Sequence, residues 1–214
     1  MKLHTFWRST AAYRVRIAAH LKNIPLDYGY VHLLKDGGQH NQPAYRAINP
    51  TAGVPSLETG GDVLTQSLAI LEYLDELYPE PPLLPRSPLA RAHAREIALH
   101  VVADMHPLNT PRILGRLTEQ FGAGEEAKNE WIRIGIREGF AGIEALLARL
   151  GSNGRHCIGD AVTLADVCLV PQVFNAHRFG IDLAPYPLIA AIEAHCLTLP
   201  AFALAAPAAQ ADAE

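Results

Sequence analysis

The stretch 53–78 constrains the fold of this chain more than any other part of its sequence. Two short apolar runs, 54–57 and 63–65, lie on either side of a Thr-Gly-Gly turn, which is typical of a β-hairpin. Apolar residues then recur at helical spacing. A helix is therefore predicted to follow the hairpin, with Ser67 as its N-cap and its end before Pro79, which cannot continue a helix.

The two edges of this stretch carry polar groups that suit a ligand. Pro55 has no backbone donor, so it belongs on an edge strand or at a special turn. If the bond before it is cis, the N–H and C=O of Val54 are free to pair with an extended peptide. Ser67 at a helix start presents a hydroxyl and unpaired N–H groups, which suit a carboxylate. Together these features favour a peptide-like ligand, although each alone is more simply an edge strand or a helix cap.

Four short motifs in and before this stretch resemble, in order and spacing, the glutathione-binding half of a glutathione S-transferase. They are Asn49-Pro50, Val54-Pro55-Ser56-Leu57, Gln66-Ser67 and Ala69-Ile70-x-x-Tyr73-Leu74. The resemblance implies that glutathione is the cofactor and that the bond before Pro55 is cis. It implies that the Val54 backbone pairs with the cysteinyl part of glutathione and that Gln66 and Ser67 hold the γ-glutamyl carboxylate. His40 lies where that family places a polar contact to the glycine carboxylate.

Length and composition limit the number of domains and the class of protein that this chain can form. The chain has 214 residues, enough for one large or two small domains. Its net charge of −4 gives no electrostatic basis for binding nucleic acid or an anionic membrane. The start of the chain has no apolar signal region, and no run approaches the length of a membrane span. We therefore expect a cytoplasmic enzyme or binding protein. Three cysteines without ligand spacing are predicted to be reduced and structural, with no metal site: Cys157, Cys168 and Cys196.

The first part of the chain is predicted to be an α/β domain. Before the hairpin, the pattern indicates a strand, a helix, a second strand and a short helix, at 2–6, 11–22, 26–33 and 44–48. The resulting order β-α-β-α-β-β-α is that of a thioredoxin-like domain, predicted here for residues 1–80.

A proline-rich segment then marks a domain boundary, and we predict a linker at 81–87. Residues 88–214 are predicted to form an all-helical domain of the glutathione-transferase type. Thr163-Leu-Ala-Asp166 has the form of a capping box, which is a structural role. The tail 205–214 is predicted to be partly disordered. The predicted helices span 89–103, with a break at 105–107, then 112–121, 125–150, 164–178 and 188–196.

The loop before the first helix is the most informative polar spot. Ser9 and Thr10 stand where that helix begins, so their hydroxyls and the free N–H groups suit an anion. A thiolate held there would have a lowered pKa. Read without the rest of the chain, the loop needs only helix capping to explain it.

The run 7–18 resembles the zeta class of glutathione transferases, which contains the maleylacetoacetate and maleylpyruvate isomerases. The class signature is roughly Arg-Ser-Ser-Cys-Ser-x-Arg-Val-Arg-Ile-Ala, and this chain departs from it at Ala11, in place of the cysteine, and at Ala12. The resemblance leaves Ser9 and Thr10 as candidates for holding the glutathione sulfur, without choosing between them. The two arginines of the run are expected to support the helix.

Two segments of the helical half also resemble the zeta class. The run 178–187, Arg-Phe-Gly-Ile-Asp-Leu-Ala-Pro-Tyr-Pro, resembles a segment whose arginine holds a substrate carboxylate. His106-Pro-Leu-Asn109 resembles the kink segment that reaches glutathione and substrate, so His106 and Asn109 are predicted cofactor contacts. Guanidinium groups bind carboxylates through two parallel hydrogen bonds. The predicted substrate contacts are Arg8, Arg112 and Arg178.

The function implied is glutathione-dependent cis–trans isomerisation of a dianionic maleyl keto-diacid, in the catabolism of aromatic compounds. The substrate is maleylpyruvate or maleylacetoacetate, which one sequence does not separate, and the product is the fumaryl isomer. The resemblance also implies a homodimer. Two alternatives stay open: a general glutathione transferase or dehalogenase acting on small electrophiles, and a non-enzymatic protein-interaction module. Retention of both Ser9 and Thr10 weighs against the module.

Overall fold

The computed structural model describes all residues, 1–214, as two compact units. The first contains Met1–Pro82 together with Thr198–Glu214, and the second contains Leu83–Leu197. The predicted helical domain, 88–214, includes the segment Thr198–Glu214, which the structure places in the first unit. The predicted and observed domain divisions therefore differ at the C-terminal end of the chain. None of the helices combines the length and the apolar character needed to cross a membrane.

The first unit contains a sheet of four strands. They are β1 Lys2–Thr5, β2 Asp27–Tyr30, β3 Ser56–Thr59 and β4 Asp62–Thr65, and their order in the sheet is β2-β1-β3-β4. β1 is parallel to β2 and antiparallel to β3, and β3 pairs with β4 as the predicted hairpin. The predicted order β-α-β-α-β-β-α is confirmed. The helices among these strands are α1 Thr10–Leu21, α2 Pro43–Arg46 and α3 Ser67–Leu77.

The core of this unit joins the sheet to α1 and α3. Leu3 of β1 lies opposite Leu57 of β3 in the strand register, and both are fully buried. Burying such a side chain contributes about 1.5–3 kcal/mol. Both helices present small or branched apolar residues to this layer, which fixes their N-termini relative to the sheet. The other core members are Val15, Ala19, Ile24, Ile70 and Leu74.

The C-terminal segment packs onto α1 through a short helix, α9, which the structure places at Pro200–Ala205. The Tyr13 hydroxyl donates to the Phe202 carbonyl at 3.2 Å, and Arg16 Nε donates to the Ala205 carbonyl at 3.0 Å. Phe202 is fully buried. The prediction of a partly disordered tail is wrong, because contacts from elsewhere in the chain hold the segment in place and its Ala/Pro composition does not reveal them.

The regular secondary structure of the second unit is all helical, as predicted. After α4 the chain widens into a π-helical turn, His100–Met105, and then tightens into a 3₁₀ turn, His106–Asn109. The predicted break at 105–107 therefore begins earlier than Pro107 alone requires. The α-helices are α4 Pro88–Leu99, α5 Pro111–Phe121, α6 Glu125–Arg149, α7 Leu164–Arg178 and α8 Pro187–Leu197.

The predicted capping box at the start of α7 is present. Both the backbone N–H and the hydroxyl of Thr163 donate to Asp166 Oδ2, at 2.7 and 2.8 Å. Asp166 Oδ1 accepts the Cys157 N–H at 2.7 Å. The carboxylate is fully buried, and these three donors compensate its lost hydration. This confirms a structural role for Asp166.

Candidate active site

The N-terminus of α1 leaves backbone and side-chain donors available to a ligand. Ser9 is its N-cap, and its hydroxyl oxygen accepts the Ala12 N–H at 3.2 Å. Its carbonyl accepts the Tyr13 N–H at 2.9 Å. The backbone N–H groups of Thr10 and Ala11 have no partner in the protein. Since the first N–H groups of a helix point outward and carry partial positive charge, this position favours a negatively charged ligand atom.

Ser9 and Thr10 differ in exposure. Ser9 is half-buried, whereas Thr10 is the first helical residue and only 5% exposed. The capping interaction uses the Ser9 oxygen as an acceptor, which leaves its O–H free to donate to a ligand. Ala11, which stands where the class signature has cysteine, is buried at the second helical position and offers no thiol.

The loop ahead of Ser9 is held at Trp7. The Trp7 N–H donates to Asp212 Oδ2 at 2.9 Å, and the Trp7 carbonyl accepts from Arg16 Nη2 at 2.9 Å. Arg16 is fully buried, and desolvation lowers its pKa to about 10, so it stays charged at neutral pH. Sequence reasoning assigned Arg16 to helix support and did not single out Asp212. A charged residue amid the small and apolar residues of α1 was the available signal for Arg16.

Arg8 leaves this loop with its guanidinium over two aromatic rings. Its Cζ lies 5.5 Å from the Trp7 ring centre and 5.9 Å from that of Phe6. Such cation–π contacts orient a guanidinium without using its N–H donors. The donors of Arg8 are therefore left for a ligand carboxylate.

The start of α3 differs from the prediction by one residue. The helix begins at Ser67 and its N-cap is Gln66, so the prediction that Ser67 is the N-cap is wrong. Gln66 has φ 69° and ψ 118°, a backbone conformation that costs free energy for a residue with a side chain. The Gln66 side chain is exposed, while the buried Ser67 hydroxyl accepts from Arg14 Nη1 at 3.1 Å. Arg14 thus joins α1 to the start of α3.

The segment before β3 has a free backbone at Val54. The Val54–Pro55 bond is cis, as the resemblance implies, and the Val54 N–H and C=O make no hydrogen bond within the protein. The preceding residue, Gly53, is held through its carbonyl, which accepts from Tyr45 Oη at 2.6 Å and from Asn49 Nδ2 at 2.7 Å. The segment is therefore anchored next to an unpaired peptide edge.

His40 lies on the loop between β2 and α2. It is half-buried, and its Nδ1 is buried with no hydrogen-bond partner. Desolvation and the charge of Arg46 lower its pKa, so the ring is neutral at pH 7. Gly38 lies directly beside it, because a Cβ there would stand 2.5 Å from His40 Cε1 and the backbone has φ 88°. The ring thus offers an unused polar atom.

The remaining predicted site residues lie in the second unit. His106 and Asn109 are half-buried in the 3₁₀ turn, and Asn109 Nδ2 is buried without a partner. Arg112 is exposed in the first turn of α5. Arg178 is exposed at the end of α7, where its Nη1 donates to Asn175 Oδ1 at 3.0 Å and its Cζ lies 5.4 Å from the Phe179 ring centre. These contacts set the direction of the Arg178 guanidinium.

A second polar cluster in this unit is accounted for by helix capping. One ligand-type atom from each of His156, Asp166 and Cys196 lies within 4.8 Å of the others. The Asp166 oxygens already accept the three donors described above. Burial raises the pKa of the Cys157 and Cys196 thiols well above the ordinary range, which keeps both protonated. All three cysteines are buried, and none forms a disulfide.

Two sequence comparisons identify relatives of this chain. A family model described as the glutathione S-transferase N-terminal domain matches residues 3–82. The maleylpyruvate isomerase of Ralstonia sp. is 50% identical over 99% of this chain and 99% of its own length.

Solved structures agree over the whole chain. The holo structure of a maleylpyruvate isomerase, a bacterial zeta-class glutathione S-transferase, has a TM-score of 0.96 at 50% identity, covering 100% of both chains. A maleylacetoacetate isomerase from Methylobacterium extorquens AM1 with bound malonate and glutathione has a TM-score of 0.95 at 43% identity, also covering 100% of both.

The fold is therefore that of a glutathione S-transferase. Within that superfamily, the chain belongs to the zeta class, the enzyme family of the maleylpyruvate and maleylacetoacetate isomerases.

Proposed function

We propose that this protein is a glutathione-dependent cis–trans isomerase that converts a maleyl keto-diacid, maleylpyruvate or maleylacetoacetate, into its fumaryl isomer in the catabolism of aromatic compounds. The observation that carries the proposal is the start of α1, where the half-buried Ser9 hydroxyl and the free N–H groups of Thr10 and Ala11 form a site for an anion. The activities named for the relatives supply the reaction, and a related structure with bound malonate and glutathione supports the binding of a dicarboxylate as well as the cofactor.

Ser9 is the better candidate for the glutathione sulfur. Its O–H is free to donate and its side chain is partly exposed, whereas Thr10 is 5% exposed. A thiolate beside this hydroxyl and the helix N-terminus has a lowered pKa, because both stabilise the charged form. When bound, glutathione supplies the thiolate that adds reversibly to the cis double bond and thereby permits rotation about it.

The rest of glutathione fits polar groups of the first unit. The unpaired Val54 backbone next to Pro55 suits the cysteinyl peptide. Gln66 and Ser67 suit the γ-glutamyl carboxylate, with the buried Arg14 guanidinium behind Ser67 adding positive charge. The free Nδ1 of His40 suits the glycine end. His106 and Asn109 stay predicted cofactor contacts in the second unit.

The substrate carries two carboxylates at neutral pH, and we propose that Arg8, Arg112 and Arg178 bind them. Guanidinium groups form paired hydrogen bonds to a carboxylate. The positive charge also favours electron density that moves onto the keto oxygen during the reaction. A net charge of −4 does not oppose this, since the local field decides binding. We further propose that the protein is a cytoplasmic homodimer.

The test is an ultraviolet assay of both maleyl diacids with and without glutathione. We expect conversion that depends on glutathione, and the ratio of the two rates names the preferred substrate. Conversion of neither diacid, with glutathione still bound and small electrophiles conjugated, would overturn the isomerase in favour of a general transferase. Glutathione binding with no turnover of any electrophile would indicate the interaction module.

The substrate clamp has its own test in Arg178→Ala. Loss of one charge-assisted contact, worth about 1.5–3 kcal/mol, should lower kcat/KM for the diacid about 10- to 100-fold while leaving glutathione affinity unchanged. Arg86→Ala, at an exposed arginine without side-chain contacts, is the matched control. An Arg178→Ala enzyme with the kinetics of the control would remove Arg178 from the substrate site.

A further inference from the structure

The C-terminal segment contacts both loops of the first unit that carry proposed glutathione contacts. Asp212 binds the loop that leads to Ser9, and Glu214 binds the loop that carries His40. Neither acidic residue belongs to the motifs that identified the site. Both are separated from their partners by most of the chain, so the contacts exist only in the folded protein.

The loop that leads to Ser9 is held by hydrogen bonds to both backbone groups of Trp7, its N–H and its carbonyl. Asp212 Oδ2 accepts the Trp7 N–H at 2.9 Å, and Arg16 donates to the Trp7 carbonyl at 2.9 Å. The same arginine donates to the Thr5 hydroxyl at 2.9 Å and to the Ala205 carbonyl at 3.0 Å. The C-terminal segment therefore holds Trp7 directly through Asp212 and indirectly through Arg16.

The chemistry of the Asp212 contact is specific. A carboxylate that accepts a backbone N–H forms a charge-assisted hydrogen bond, which is stronger than one between neutral groups. Asp212 also lies close enough to Arg16 for its charge to raise the pKa of the buried guanidinium. The other oxygen, Asp212 Oδ1, is buried and has no donor in the protein. The Asp212 carboxylate therefore interacts with the loop that leads to Ser9 and not with solvent.

The His40 loop has a second, weaker contact. Glu214 pairs with Lys35 and lies 3.4 Å from His32 Nε2. His32 organises this loop, since its Nδ1 accepts the backbone N–H of Leu34 at 3.1 Å and of Lys35 at 2.8 Å. The Lys35 and Glu214 side chains are 60% and 50% exposed, so water and salt screen their attraction.

We infer that Asp212 is a positioning residue for the proposed reaction: by accepting the Trp7 N–H, it fixes the Ser9 hydroxyl and the start of α1 where they stabilise the glutathione thiolate. Glu214 acts in the same way, more weakly, on the loop that carries His40. The inference rests on the proposed use of glutathione but not on the identity of the diacid. Asp212 does not itself touch cofactor or substrate.

The direct test is a titration of the thiol of bound glutathione, followed by the ultraviolet absorbance of the thiolate. In Asp212→Ala, Trp7 loses its acceptor and we expect the thiol pKa to rise by about one unit, a tenfold loss of thiolate at a given pH. In Asp212→Asn the amide oxygen still accepts the N–H, so the thiol pKa should stay close to that of the wild type. Glu76→Ala, at an exposed acid of α3 in the same unit, is the control.

We expect Asp212→Ala and Glu214→Ala to change different properties of the protein. Glu214→Ala removes an exposed ion pair, so folding is preserved and glutathione affinity should fall about two- to fivefold with the thiol pKa unchanged. This result bears on the His40 loop alone; if Asp212→Ala does not fold, a raised thiol pKa in Asp212→Asn still overturns the part that concerns Trp7. An unchanged thiol pKa in Asp212→Ala, an Asp212→Asn protein that resembles Asp212→Ala, or an unchanged affinity in Glu214→Ala would each overturn the corresponding part.

Failure of the proposed function would look different. A wild-type protein that binds glutathione with a lowered thiol pKa but converts neither diacid would refute the isomerase and leave the positioning test intact. A wild-type protein that binds glutathione without any lowering of the thiol pKa would refute the role of the helix start, and with it that of Asp212.

Discussion

At the scale of single residues, exposure distinguishes side chains that the sequence presents as equals. Ser9 and Thr10 both carry hydroxyls at a helix start, and the structure separates them by burial and by the capping hydrogen bond that only Ser9 makes. Gln66 and Ser67 are likewise adjacent polar residues, yet the chain turns at Gln66 with φ 69° and starts the helix at Ser67. A shift of one residue around a tight turn depends on the packing of α3 against α1, which a local pattern does not contain.

Substitution of the two hydroxyl residues should therefore give unequal results. Ser9→Ala removes both the helix cap and the proposed donor to the sulfur. We expect it to raise the pKa of bound glutathione thiol, to lower kcat/KM about 10- to 100-fold, and to lower the free energy of unfolding by about 1 kcal/mol. Thr10→Val, which replaces the buried hydroxyl by a methyl group and leaves the Ser9 donor in place, should change the thiol pKa little. Thiol titration and steady-state kinetics on both variants decide the point, and the reverse order would reassign the role to Thr10.

At the scale of elements, the strand and helix order was predictable because it depends on local spacing of apolar residues and on turn residues. The exact break before His106 was not. It is a π-helical turn whose last residue, Met105, packs against Gly139 of α6. A Cβ at Gly139 would stand 2.1 Å from Met105 Sδ, so the glycine permits this close approach.

Two glycines of α6 make a matched pair for testing that packing. Gly139→Ala should lower the free energy of unfolding by about 1–3 kcal/mol, because Met105 must move out of a filled space. Gly142→Ala meets open space and should raise it by about 0.5–1 kcal/mol, because alanine favours the helix. Chemical denaturation of both variants measures the difference. Equal effects would show that Met105 finds another rotamer at no cost.

At the scale of the whole molecule, three neutral histidines link stability to pH: His156 is buried, and His20 and His40 are half-buried. Desolvation is the main cause of the lowered pKa values of His20, His40 and His156. Below a pH of about 6.5 these side chains gain protons more readily in the unfolded chain. Protonation therefore favours unfolding, and stability is lost as pH falls through that window.

We accordingly expect the free energy of unfolding to fall between about pH 7 and pH 5, before the carboxylates titrate. Denaturation curves at several pH values in this range measure the slope. His156→Gln, which replaces a buried ring with a side chain that does not titrate, should reduce it. A free energy that is constant or increases toward acid pH would contradict the assignment of these histidines as neutral in the folded protein.

The sequence by itself determined the family, the order of elements, the hairpin edge at Val54, the capping box at Asp166 and the helix start that carries Ser9. Each depends on residues close together in the chain, whose spacing states their local geometry. Only the tertiary structure decided that Arg14 reaches Ser67, that Asp212 and Arg16 hold Trp7, and that the C-terminal tail is ordered. These contacts join residues far apart in sequence, and a single chain read by local pattern carries no record of which distant donor meets which acceptor.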